Sequence, residues 1–251
     1  MTFPGPAGIR GILDTGTDFL RLSRRGPPTR PATAAMVGPV ELRAALADPR
    51  VRLGVGMATL LATAGAVHRD RVGACEARTF RAVNGLPDAL YPPAWIVMQM
   101  GAFGAVPASA FTAWRAGDGE LAARLLLGGT SAWALSKLVK NVVRRPRPVA
   151  LLPGIRSRGR EAAGLGYLSG HAAVAVALGV AALPRLGPGA RALTLTAMPL
   201  VGLTRLYVGA HLPLDIAGGA ALGLAADAAA GLVTSTPRTR CAAAPKARAG
   251  R

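Results

Sequence analysis

Six apolar stretches divide the chain after residue 52. They cover residues 53–68, 89–114, 121–140, 169–184, 192–207 and 213–233, with few charges inside them. An α-helix of about 20 residues crosses the hydrocarbon core of a bilayer, which is about 30 Å thick. The shorter stretches can still cross, because arginines at their ends can extend to the interface. The pattern predicts an all-α fold, a polytopic membrane protein with a bundle of six transmembrane helices.

The segments outside these stretches are polar. Residues 1–50 are rich in Arg, Pro and Gly, and such a segment buries too little apolar surface to fold. We expect a mobile cytoplasmic tail at 1–50, a six-span domain at 51–234 with a motif-bearing core at 85–233, and a basic tail at 235–251. A short surface helix is expected within 69–88.

Composition narrows the class of protein. Hydrophobic residues make up 51% of the 251 residues, but aromatic residues only 4%, and the net charge is +18. Two cysteines exclude a disulfide scaffold. The cations lie at the ends of the apolar stretches and in the tails, as in membrane proteins, so we expect no nucleic-acid partner. Their modest excess on the side of the tails predicts that both tails are cytoplasmic.

Three short segments beside the predicted spans carry the candidate chemistry. They read KNVVRRPRP (140–148), LSGH (168–171) and TRLYVGAHLPLD (204–215). Each has an ordinary structural alternative: a cluster of cations at the membrane edge, a capped helix, and a structural His–Asp pair. The candidate residues within them are Lys140, Arg147, Ser169, Gly170, His171, Arg205, His211 and Asp215.

Local chemistry suggests how these residues act. Prolines end the helix after Lys140, so Arg147 can fold back toward the lysine. Ser169 suits a helix N-cap, and a helix N-terminus binds anions. His211 and Asp215 are four residues apart at the start of a span, where one helical turn brings imidazole and carboxylate together.

Counting the crossings places all three segments on one side of the membrane. They lie at the exit of span three, the entry of span four, the exit of span five and the entry of span six. Three cations, a hydroxyl, a helix N-terminus and two histidines would therefore meet there. This set suits a phosphate ester and the charge of its transition state. A zinc site is disfavoured, because three cations would repel a metal ion.

These segments resemble the three-part motif of the type 2 phosphatidic acid phosphatase superfamily. That motif is Lys-x6-Arg-Pro, then Pro-Ser-Gly-His, then Ser-Arg-x5-His-x3-Asp. The chain departs from it at two positions, with Leu168 in place of proline and Thr204 in place of serine. Neither change removes a group that is expected to do chemistry.

The resemblance implies a mechanism without a cofactor or metal. In it His211 attacks phosphorus to form a phosphohistidine, Asp215 orients His211, and His171 protonates the leaving oxygen. The residues implied to hold the phosphoryl oxygens are Lys140, Arg147, Ser169, Gly170 and Arg205. The implied partners are a lipid phosphate or diphosphate and the cell membrane, with the site on the extracytoplasmic face.

Two other functions remain open at this point. A lipid phosphotransferase would use the same phosphohistidine with a different acceptor. A non-catalytic protein that binds or transports phosphate head groups would need only the cations. Separately, Asp227 lies deep in the sixth span, where it is either a functional acid or the partner of Arg185 or Arg191; we expect the pairing.

Overall fold

The computed structural model describes residues 47–68, 71–160 and 163–235. The described residues form helices, turns and irregular links, and none of them is in a β-strand. This confirms the all-α prediction. The α-helices are α1 (Pro49–Val67), α2 (Ala74–Asn84), α3 (Tyr91–Gln99), α4 (Ala105–Arg115), α5 (Gly119–Val143), α6 (Pro148–Leu151), α7 (Gly170–Ala182), α8 (Pro188–Tyr207) and α9 (Pro213–Thr234).

Helix α9 is the centre of the bundle and packs against α1, α5 and α7. Its buried residues are mostly glycine and alanine, and small side chains let helix backbones approach closely. Helix α7 is similar, with alanines at most of its buried positions. Close packing of these helices brings the start of α7 next to the start of α9, and Ser169 N donates to Asp215 O at 2.9 Å.

Five of the six predicted stretches coincide with helices. The second, 89–114, is interrupted: α3 ends at Gln99 and α4 begins at Ala105. The link between them contains Gly101, which packs so tightly that a Cβ there would lie 2.5 Å from the carbonyl oxygen of His171. By length and composition, one described helix, Pro213–Thr234, could cross a membrane, and Gly170–Arg185 is a shorter apolar helix. The six-span arrangement therefore stays a prediction.

The predicted domain boundaries are only partly covered by the structure. The predicted mobile tail lies outside the described residues up to position 46, and the basic tail does so from position 236. Helix α1 begins at Pro49, two residues before the predicted domain start. Its N-cap is Asp48, whose side chain accepts a hydrogen bond from Arg50 N at 2.7 Å.

Asp227 has different partners from those expected. Its carboxylate accepts hydrogen bonds from the Nε and Nη2 of Arg124, at 2.7 and 2.8 Å, and lies 3.5 Å from Arg52 Nε. The expected pairing with Arg185 or Arg191 was wrong. Helices α1 and α5 flank α9 at this level, and Arg185 pairs instead with the carboxylates near the start of α5.

Candidate active site

A cavity of about 200 Å³ brings most of the predicted site residues together. They come from the end of α5, the start of α7, the end of α8 and the links that follow α5 and α8. The predicted residues that line the cavity are Lys140, Arg147, Gly170, His171, Arg205 and His211. Ser169 and Asp215 do not line it. The prediction that the three segments meet at one place is thus supported by the geometry.

The link after α5 positions the first two cations. Helix α5 ends where Arg144 adopts a left-handed conformation, with φ of 54°. Arg147 follows between two prolines, and its guanidinium donates to the carbonyls of Ala163 and Ala210, at 2.9 and 2.7 Å. Lys140 Nζ donates to backbone carbonyls of the same loop, including Leu165 O at 3.0 Å. Both cations are therefore held in place before any substrate binds.

Helix α7 begins at the cavity wall. Ser169 is its N-cap, as predicted, and the Ser169 hydroxyl accepts a hydrogen bond from Ala172 N at 3.4 Å. Because the Ser169 side chain is fully buried, its visible role is to fix the helix start. Gly170 and His171 then present the first turn of the helix to the cavity. Free N–H groups at such a position attract an anion.

His211 lies in the link between α8 and α9. Helix α8 ends before Gly209, which has a φ of 79°, and Pro213 opens α9. The Nδ1 of His211 lies 3.7 Å from Asp215 Oδ2, which is longer than a hydrogen bond. Burial lowers the pKa of His211 to about 3. The imidazole is therefore neutral at neutral pH, as a nucleophile must be.

Asp215 is held by a network of hydrogen bonds and ion pairs that was not predicted from the sequence. Arg145 is fully buried and donates from Nη1 to Asp215 Oδ1 at 2.8 Å. The same guanidinium binds Glu76 on α2, with Nη1–Oε1 and Nη2–Oε2 distances of 3.1 and 2.8 Å. The other oxygen of Asp215 accepts from Leu212 N at 2.8 Å. Burial acts to lower the pKa of Arg145, but its hydrogen bonds to both carboxylates outweigh burial and raise it.

Helix α2 is thus more than the expected surface helix. It buries Glu76 together with Phe80 and Asn84, and Glu76 also accepts a hydrogen bond from Leu214 N at the start of α9. In the sequence, the signal for this burial was Glu76, which is four residues before Phe80 and therefore on the same face of a helix. In the sequence, Arg145 could not be distinguished from the other cations of the RRPRP run.

A further wall of the cavity is aromatic. Phe103, in the link between α3 and α4, packs on Trp133 with ring centroids 4.6 Å apart. The ammonium of Lys137 lies 3.8 Å from the centre of the same tryptophan ring. Lys137 and Ser136 also line the cavity. This wall combines an apolar surface with a fourth cation, Lys137, which was not among the predicted site residues.

The cavity carries a strong positive charge. Its lining includes four cationic side chains and no carboxylate. Burial lowers the pKa of Arg147, against the opposing effect of Asp215. Among the described residues, no group of three or more His, Cys, Asp or Glu is arranged to hold a metal ion. The arrangement can bind a tetrahedral oxyanion between the cations and the two histidines.

Comparison with protein-family models gives a match to part of the chain. The sequence model of the PAP2 superfamily matches residues 121–237, a segment that contains all eight candidate residues. This part of the chain is similar to the PAP2 superfamily. A comparison with curated protein sequences gave no match.

Two solved structures share the fold. The crystal structure of LpxE from Aquifex aeolicus has 21% sequence identity and a TM-score of 0.58, and the match covers 64% of this chain and 95% of that one. A transmembrane PAP2 type phosphatidylglycerolphosphate phosphatase from Bacillus subtilis has 23% identity and a TM-score of 0.57, with 75% and 99% covered. The chain therefore shares the fold of these two proteins.

Proposed function

We propose that this protein is an integral membrane phosphatase that hydrolyses a lipid phosphate or diphosphate. The observation that carries the proposal is the pairing of two histidines, His171 and His211, in one cavity with four cations and no carboxylate. Binding of an anion needs only the cations. Two histidines, one of them placed against a buried carboxylate, suit bond cleavage.

The membrane location is supported by the surface of the helices. Large apolar side chains are exposed on α1, α4, α5, α8 and other helices, among them Leu61, Phe111, Leu138 and Leu193, each at least 59% exposed. An exposed apolar surface of this extent is stable in contact with the lipid of a bilayer. If the helices cross the cell or plasma membrane six times, both tails lie in the cytoplasm and the cavity lies at the extracytoplasmic face of the membrane.

In the proposed first step the phosphoryl group binds in the cavity. Its oxygens contact Lys140, Arg147 and Arg205 together with N–H groups at the start of α7, at Gly170. Ser169 caps that helix, so its contribution is the position of the N–H groups. The cations neutralise the charge of the ester and stabilise the charge of the transition state.

Phosphoryl transfer then follows. The Nε2 of His211 attacks phosphorus with its lone pair, while Nδ1–H faces Asp215, whose carboxylate stabilises the positive charge that forms on the ring. The bond from phosphorus to the lipid oxygen breaks, and His171 gives a proton to that oxygen. A water molecule, deprotonated by His171, then attacks the phosphohistidine and releases inorganic phosphate and His211. No metal takes part in these steps.

The lipid class rests on the family and on the site's place in the bundle. The solved structure from Bacillus subtilis is that of a phosphatidylglycerolphosphate phosphatase. Candidate substrates for this chain are polyprenyl phosphates and diphosphates, phosphatidic acid and phosphatidylglycerol phosphate. In each of these lipids the scissile phosphate lies at the membrane surface, and the hydrocarbon chains of the lipid can stay in the bilayer.

The test is phosphate release by the detergent-solubilised protein. A panel of these lipids is assayed in EDTA, with His211→Ala as the matched variant. We expect release in EDTA and a loss of at least about 1000-fold in the variant, which lacks the nucleophile. Trapping of a phosphorylated protein that is labile in acid and absent from the variant would support the intermediate.

Other outcomes would redirect the proposal. Loss of activity in EDTA with recovery on adding a divalent metal would overturn the metal-free mechanism. Transfer of the phosphoryl group to a second lipid, without phosphate release, would identify a phosphotransferase. Binding of lipid phosphate that survives His211→Ala, with no turnover, would indicate a head-group binding or transport protein.

A further inference from the structure

A second cavity of about 270 Å³ lies beside the catalytic one. Arg147 and Arg205 line both cavities, so the two share a wall made of guanidinium groups. Arg158 and Arg160 add two more cations from the loop that follows α6. No carboxylate lines this second cavity. We call it the arginine cavity.

The loop that carries two of these arginines is firmly attached to the bundle. The guanidinium of Arg158 donates to Tyr207 O at 2.6 Å and to Asn84 O at 2.9 Å, and it pairs with Asp88 at 2.8 Å. The amide of Asn84 binds the backbone of Arg156 in both directions, at 2.8 and 2.9 Å. Arg158 is therefore a structural clamp, and the loop is a built part of the cavity wall.

Arg160 differs from Arg158 in having no hydrogen-bond or ion-pair partner among the residues that the structure describes. Its side chain is exposed and makes no ion pair with any residue that the structure describes. It follows Gly159, which has a φ of 75° and lies so close to the ring of Tyr91 that a Cβ could not fit. This contact brings Arg160 beside the cavity. Arg205 also has an unused hydrogen-bond donor, because its buried Nε has no partner among the described residues.

We propose that the arginine cavity is a second phosphate-binding site, distinct from the site of bond cleavage. A guanidinium group can bind two phosphate oxygens at once, and Arg147, Arg160 and Arg205, in a cavity whose lining has no carboxylate, favour a multiply charged anion. The ligand comes from one of two sources: the second phosphate of a substrate that carries two, or the inorganic phosphate that the reaction releases. The inference rests on the proposed function, because both sources belong to that reaction.

The experiment uses the full chain and the variant Arg160→Gln. Arg156→Gln is the matched control, since Arg156 is an exposed arginine of the same loop that does not line the cavity. The substrates are two prenyl lipids with the same chain, one a monophosphate and one a diphosphate. Two quantities are measured: the ratio of kcat/KM for the two lipids, and the inhibition constant of inorganic phosphate against the monophosphate.

Each source predicts its own result. If the cavity binds the second substrate phosphate, Arg160→Gln lowers the diphosphate preference about three- to tenfold and leaves the monophosphate rate unchanged. If it binds the released phosphate, the inhibition constant rises by about the same factor and the preference is unchanged. The proposal is overturned if both quantities match those of Arg156→Gln.

Failure of the proposed function looks different. In that case the unmodified protein hydrolyses neither lipid. Binding of inorganic phosphate, measured by calorimetry on the unmodified protein, Arg160→Gln and Arg156→Gln, then tests the cavity without any turnover. Weaker binding only in Arg160→Gln would support the second site, and equal binding in all three proteins would overturn it.

Discussion

Helix α9 carries two buried carboxylates that serve different ends. Asp215 and Asp227 both have zero exposed surface and lie 12 residues apart, which is about 18 Å along a helix. Asp227 binds Arg124 through both of its oxygens and has Arg52 beside it. Asp215 binds Arg145 and a backbone N–H, and the Nδ1 of its neighbour His211 has no hydrogen-bond partner among the described residues.

The difference separates a structural ion pair from a site prepared for a ligand. At Asp227 the charge of the carboxylate is compensated by the arginines Arg124 and Arg52 of the described bundle. Around Asp215 the charges that remain unmatched are the cations of the catalytic cavity, and they face a space without acids. Buried charge needs compensation, so unmatched cations around a cavity indicate that an anionic ligand supplies it.

The largest effect is expected from breaking the structural pair. Asp227→Asn removes the fully buried carboxylate that Arg124 binds through two hydrogen bonds, and it should lower the free energy of unfolding by about 3–5 kcal/mol. Activity per folded molecule should change little, because the carboxylate is remote from the cavity. Denaturant unfolding in detergent and phosphate release measure the two effects.

Arg185→Gln is the control for that variant. Arg185 makes only exposed ion pairs, so its loss should cost less than about 1 kcal/mol. A stability loss for Asp227→Asn no larger than that of the control, or a collapse of activity in the folded variant, would contradict the distinction between the two carboxylates.

The next effect is expected at Arg145. Arg145→Lys cannot bridge two carboxylates as the planar guanidinium does, so Asp215 loses its fixed position behind His211. We expect kcat to fall about 100-fold, which is about 2.7 kcal/mol, with KM for the lipid nearly unchanged. Arg144→Lys is the matched control, because Arg144 is exposed and bonds only to Asn141 O. Equal kcat in the two variants would remove Arg145 from the site.

The smallest effect concerns pH. The pKa of His211 is about 3 in the folded protein and about 6.5 in the unfolded chain. As the pH falls below 6.5, the unfolded chain binds a proton that the folded protein does not, so stability is lost. From pH 7 to pH 5 this loss should be about 2 kcal/mol.

The matched variant for this test is His211→Gln, which has no proton to bind at that position. Its stability should therefore fall less over the same pH range than that of the unmodified protein. Denaturant unfolding at both pH values measures the difference. Parallel stability curves for the two proteins would show that the ring is not held neutral by burial.

Much of the site was predictable because its residues are close in sequence to helix ends. The apolar stretches placed five of the described helices, the prolines after Lys140 placed the end of α5, and Ser169 placed the start of α7. The count of crossings predicted that Lys140, His171 and His211 lie on one side of the membrane, and the three residues line one cavity in the structure. The break in the second stretch was not predicted, because a hydropathy pattern carries no information on where a helix is interrupted.

The sequence by itself determined the helical class, the three segments and the chemistry of their side chains. Those properties depend on local spacing, such as the four residues between His211 and Asp215. Only the tertiary structure decided which charges are satisfied. Glu76 and Arg145 are 69 residues apart, and whether a buried guanidinium serves a carboxylate or a ligand depends on what packs beside it. For that reason the arginine cavity and the pairing of Asp227 came from the packed bundle.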